Sequence, residues 1–147
     1  MEIRQVIALA VQKEEAAAEL YGRMAREADD PAVRALLEDL DADERRHQQV
    51  LLGIDPAKIP AFAEGELRAP RLAEFLQVRP VSPASRLQDV LVYAIRRERE
   101  ATAFYSDMAE RVHDGVLRDV FEGLAAMENG HLVRLEDLYE STFMSEY

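Results

Sequence analysis

Two stretches of this chain place apolar residues at helical period, and each stretch breaks once near its middle. Across roughly 2–53 the pattern is interrupted at Ala28-Asp29-Asp30-Pro31, and across 84–141 at His113-Asp114-Gly115. Apolar residues three and four apart mark one face of an α-helix, and a proline after two aspartates suits a helix start. The pattern therefore predicts helices at about 2–28, 31–53, 84–113 and 116–141, paired into two hairpins. Five of the six prolines fall between Gly53 and Ala84. That segment reads as a connection, with a short helix expected over Arg71 to Leu76.

Every helix carries a heptad stripe. The first runs Ile7, Ala10, Glu14, Ala17, Tyr21, Met24, Ala28, and the second Val33, Leu37, Leu40, Glu44, His47, Leu51. The third runs Leu87, Leu91, Ala94, Glu98, Ala101, Tyr105, Met108, Val112, and the fourth Leu117, Phe121, Leu124, Glu128, His131, Leu135, Leu138. Such spacing sustained on four helices predicts an all-α four-helix bundle. The expected organisation is one domain over 1–147, with hairpin 2–53, crossover 54–83 and hairpin 84–141. A crossover of that length can run alongside a helix of ~33 Å and leave helices two and three parallel.

Glutamate and histidine interrupt every apolar seam, and they do so twice in the same way. Sliding the chain by 84 residues superimposes the halves without a gap: Glu14 on Glu98, Tyr21 on Tyr105, Met24-Ala25 on Met108-Ala109, Arg34 on Arg118, Glu38 on Glu122, Leu40 on Leu124, Glu44 on Glu128 and His47 on His131. Duplication of one hairpin is the simplest origin. Glu14 lies about fifteen residues before its turn and Glu44 about fifteen after, so an antiparallel hairpin brings them to one level. Glu98 and Glu128 flank the second turn likewise. Packing the hairpins against one another is expected to gather four carboxylates and two imidazoles in mid-bundle, with Ala10, Ala17, Ala94 and Ala101 leaving room.

A Glu-x-x-His spacing alone is not diagnostic here. All three histidines, His47, His113 and His131, have a glutamate three residues earlier. His113 lies off the seam at a helix end, where a histidine satisfies the helix dipole. The seam sets are different. Unpaired buried carboxylates cost several kcal/mol each, and four together repel. With no basic residue on the seams, two divalent cations are the expected neutralising charge, and their binding requires deprotonated ligands. The runs Arg45-Arg46 and Arg96-Arg97 are expected to face solvent and pair with surface acids. Asp43 is a candidate to orient a ligand imidazole, and Met24 and Met108 are expected core filler.

Composition narrows the field further. Eighteen Lys and Arg against 29 Asp and Glu give a formal net charge of −11, the wrong sign for a nucleic-acid binder or for an anionic membrane surface. There is no cysteine, which removes disulfides, thiol catalysis and cysteine-ligated iron or zinc. The longest apolar run, Val6 to Val11, is far short of the ~20 residues of a membrane span. No signal peptide is evident at the start, so a cytoplasmic location is expected.

One glutamate on each of two helices, with Glu-x-x-His on each of the other two, resembles the ferritin-like di-iron carboxylate superfamily. Within it the chain looks most like rubrerythrin-related proteins, and each half also resembles the single-hairpin encapsulated ferritins. The resemblance implies Glu44 and Glu128 as bridging ligands, with Glu14 and His47 completing one metal and Glu98 and His131 the other. It implies iron, although imidazole and carboxylate also suit manganese and zinc. It further implies hydrogen peroxide or dioxygen as reactant, a homodimer, and Tyr21 and Tyr105 either bonded to ligands with redox activity or simply packed. Three departures stand out. The chain lacks the cysteines of a rubredoxin iron, so electrons would come from a separate donor protein. Ala101 replaces an extra carboxylate of rubrerythrins, and Arg45 stands where bacterioferritin has its haem-ligating methionine. A di-iron oxidoreductase is the leading expectation. An iron-storage protein, suggested less strongly because no clear fifth helix follows, and a metal-stabilised structural bundle are the alternatives.

Overall fold

Side-chain chemistry at the two turns fixes where the helices begin and end. The computed structural model describes residues 2–60, 74–75 and 86–144. It contains four long helices: α1 (Ile3–Glu27), α2 (Pro31–Leu52), α3 (Leu87–Arg111) and α4 (Gly115–Tyr139). The Asp30 side chain accepts the Ala32 N–H at 2.8 Å ahead of Pro31. Asp114, its repeat mate, accepts the Leu117 N–H at 2.9 Å. Each satisfies a donor that the first helical turn leaves open. The arginine of each half closes the same turn from the other side. Arg34 donates from Nη2 to the Ala28 carbonyl at 2.6 Å, and Arg118 donates to the Val112 carbonyl at 3.1 Å. These contacts explain why Arg34 and Arg118 recur in the repeat.

The chain divides into two compact units, Met1–Phe62 and Ala63–Tyr147, each built around one hairpin. In the first, Val6, Ile7, Ala10, Ala17, Ala18, Tyr21, Met24 and Ala25 of α1 bury against Leu37, Leu40 and Leu51 of α2. Gly22 leaves room for the Asp41 side chain of α2, whose Oδ2 would lie 3.0 Å from an added Cβ. In the second, Leu91, Ala94, Ala101, Phe104, Tyr105 and Met108 of α3 bury with Leu117, Phe121, Leu124 and Leu135 of α4. Phe75 joins this core, stacked on Phe104 with ring centroids 4.6 Å apart.

The expected stripes are the buried faces, with departures at their ends. Leu87, expected in the core, is the first residue of α3 and is 47% exposed. Ala28, Val33 and Leu138 are only half-buried. Beyond Leu52 the chain makes a short 3₁₀ turn, Pro56–Lys58, capped by the Asp55 side chain on the Ala57 N–H at 3.0 Å. Of the short helix expected over 71–76, Glu74 and Phe75 are described and helical, while the rest, like most of the expected crossover, lies outside the described residues. Helix α4 runs on into a π-helical turn, Glu140–Met144, where the Tyr139 and Phe143 rings stand 5.2 Å apart. Among the described residues no helix is long and apolar enough to cross a membrane.

Candidate metal centre

Each hairpin carries its own buried Glu/Glu/His set at mid-height. In the first, α1 supplies Glu14 and α2 supplies Glu44 and His47, one helical turn apart. Both carboxylates are fully buried and His47 is 4% exposed. His47 Nδ1 lies 3.5 Å from Glu44 Oε1 and 3.8 Å from Glu14 Oε2. In the second, α3 supplies Glu98 and α4 supplies Glu128 and His131, again fully buried for the acids and 2% exposed for the imidazole. His131 Nδ1 lies 3.3 Å from Glu128 Oε1 and 3.8 Å from Glu98 Oε1.

Those separations suit metal binding. Two donors on one ion with bonds of ~2.1 Å stand ~3.0 Å apart at a right angle and ~4.2 Å apart when opposite. In each set the three donors lie within 4.8 Å of one another. Two carboxylates and one imidazole are a borderline-hard set that accepts divalent iron, manganese or zinc. The donor chemistry and its burial therefore fit a metal ion in either half.

The second set is electrostatically loaded. Burial pushes the Glu98 carboxyl above its ordinary range, as does the neighbouring Glu128, while Arg97 and His131 pull it back. Burial disfavours the charged His131 imidazolium, but the Glu128 and Glu98 carboxylates outweigh that and hold it up at about 9. A metal ion taking His131 as ligand at neutral pH therefore displaces a proton.

Arg97 corrects the sequence reading. Expected at the surface, it is 7% exposed, and its Nη1 donates to Glu98 Oε1 at 3.1 Å and to Glu128 Oε2 at 2.7 Å. Its guanidinium carbon lies 5.8 Å from the Phe75 ring centroid, within cation–π range. The expectation that no basic residue reaches the seam acids fails here. Arginine is long enough to curl around the helix from the position next to Glu98. A signal was present in the repeat, because Lys13 stands before Glu14 as Arg97 stands before Glu98. The other arginines behave as expected, with Arg45 paired to Asp41 at 2.8 Å, Arg46 to Asp43, and Arg96 to Glu100 at 3.1 Å. Glu100 and Asp43 are themselves buried, which periodicity did not indicate for Glu100.

The remaining candidates separate by position. His113 is exposed in the turn after α3, away from the buried sets. Tyr21 and Tyr105 are fully buried, seven residues and so ~10.5 Å of helix beyond Glu14 and Glu98. Tyr105 packs among Phe75, Phe104 and Phe121, with ring centroids 5.9, 5.2 and 6.4 Å away.

Comparison with known proteins bears on the fold and on the second hairpin. The family model described as Rubrerythrin matches residues 89–147, the stretch that holds Glu98, Glu128 and His131. A hypothetical protein from Pyrococcus furiosus has a similar structure at 20% identity and a TM-score of 0.70, over 94% of this chain and 88% of that one. A Thermotoga maritima protein, provisionally described as a ferritin-like diiron-carboxylate protein, is similar at 17% identity and a TM-score of 0.70, over 97% of each chain. No curated protein sequence matches this chain. The fold is ferritin-like, and the Rubrerythrin match, which spans the second hairpin alone, marks what that half of the chain is similar to.

Proposed function

We propose that this chain binds two iron ions through Glu14, Glu44, His47, Glu98, Glu128 and His131, and acts as an oxidoreductase on hydrogen peroxide or dioxygen. The observation that carries the reading is the recurrence of a buried Glu/Glu/His set in both hairpins, with donor separations suited to one ion in each. The description of the Thermotoga maritima protein supports iron as the metal. When bound, the iron pair supplies one electron from each ion to an oxygen–oxygen bond.

The chain's own residues supply the rest. Glu44, with Glu14 and His47, would hold one ion, and Glu128, with Glu98 and His131, would hold the other. Burial keeps bulk water from these ligands and strengthens their electrostatic hold. Tyr21 and Tyr105 stand on the ligand-bearing helices as candidate positioning groups. Without cysteine the chain has no thiolate-bound relay, so a separate donor protein returns the electrons. A homodimeric assembly and a cytoplasmic location accompany this reading.

Anaerobic loading with Fe(II), followed optically while peroxide or oxygen is added in parallel, tests it. The expected result is two Fe(II) per chain, oxidised faster by peroxide than by oxygen. Zinc retained in place of iron, with no response to either oxidant, would leave a structural metal site and overturn the assignment.

A further inference from the structure

The two Glu/Glu/His sets match in sequence and in donor spacing, and the second has a guanidinium bonded into it. In the second hairpin one guanidinium nitrogen donates to both carboxylates of the set. It takes Glu98 Oε1, the same oxygen that stands 3.8 Å from His131 Nδ1, and Glu128 Oε2. Glu128 Oε1 faces His131 at 3.3 Å, so Arg97 and His131 divide the two oxygens of Glu128 between them. A carboxylate that bridges two ions needs both oxygens. The Arg97 contacts and metal coordination therefore draw on the same atoms.

Lys13 is the repeat mate of Arg97, and the substitution matters physically. An ammonium is a compact, strongly hydrated charge, whereas a guanidinium is weakly hydrated and suited to buried carboxylates. Burial follows that difference: Lys13 is half-buried and Arg97 is buried. Phe75 lies within cation–π range of Arg97 and is stacked on Phe104.

We propose that Arg97 is a built-in counter-ion of the second set, whose guanidinium competes with a metal ion for Glu98 and Glu128 and so weakens the hold on the ion bound there. This rests on the two-metal reading above. Charge-assisted hydrogen bonds of this kind correspond to a factor of roughly ten or more in an equilibrium constant. Arg97 also neutralises buried carboxylates whenever the second ion is absent, so it stabilises the metal-stripped chain more than the loaded one.

Calorimetric titration with Zn(II), which is redox-inert, separates the possibilities. The metal-stripped full chain should show two binding events. Arg97→Gln should tighten one event by roughly tenfold, leave the other unchanged, and melt lower than the unsubstituted chain only when stripped of metal. Arg97→Lys should fall between the two and provides the same readout if the Gln variant does not fold. Affinities that Arg97→Gln leaves unchanged, or an event that either variant weakens, overturn the counter-ion role while leaving the two-metal reading intact. No uptake of Zn(II) or Fe(II) at all overturns both.

Discussion

At the scale of the residue, seam position separates chemistry from coincidence. His47, His113 and His131 share the same local spacing to a glutamate, yet only the first and third are buried beside two carboxylates. Replacing His47 or His131 with Ala should remove a ligand and most of the metal-dependent rise in melting temperature, which follows affinity through mass action. His113→Ala should leave metal content at two and change stability by no more than about 0.5 kcal/mol, as for an exposed site. Metal analysis and thermal melts of the three variants check this. Loss of metal from the His113 variant, with both ions kept by the His131 variant, would contradict the register of α4. The six candidate ligands were legible because a charged residue on an apolar seam violates the pattern that surrounds it. Arg97 was not, because a heptad stripe reports where a Cα faces and not where a long, flexible side chain ends.

At the scale of the element, periodicity located all four helices but overran their ends for identifiable reasons. Val112 is fully buried and sits on the α3 stripe, yet its backbone is extended, with φ −86° and ψ 141°. Periodicity senses burial, so it carried the helix past Arg111 into a turn that tucks an apolar side chain inward. The π-helical turn after Tyr139 left no trace in sequence because a change of hydrogen-bond partner need not alter which residues are apolar. The turn polar groups were only half legible: the Arg34/Arg118 match was visible, but the carbonyl each one caps lies six residues away. Removing the repeated N-caps gives an element-level test. Asp30→Ala and Asp114→Ala should each cost about 1 kcal/mol in urea unfolding, with metal stoichiometry unchanged because neither carboxylate approaches the buried sets. A loss of metal in step with stability would instead show that turn geometry and site assembly are coupled.

At the scale of the whole molecule, the repeat puts both candidate ligand sets on one chain. A single hairpin of this type carries one Glu/Glu/His set, so a two-ion centre built from single hairpins needs two chains. Here one chain carries both sets, Glu14/Glu44/His47 and Glu98/Glu128/His131. The candidate ligands for two ions are therefore covalently joined, and a centre assembled from them would need no association of separate chains by mass action. The expected stoichiometry is two ions per chain, unchanged as protein is diluted through any dimer–monomer transition. Mass measurement under conditions that preserve bound metal, across a dilution series, reads this directly. One ion per chain, or metal lost in step with dissociation, would place the centre between chains. The same experiment bears on storage. A pair of coordination sets holds a pair of ions, so iron titration should saturate at a few ions per chain, whereas continued uptake into a mineral would require an enclosing assembly and would favour storage over turnover.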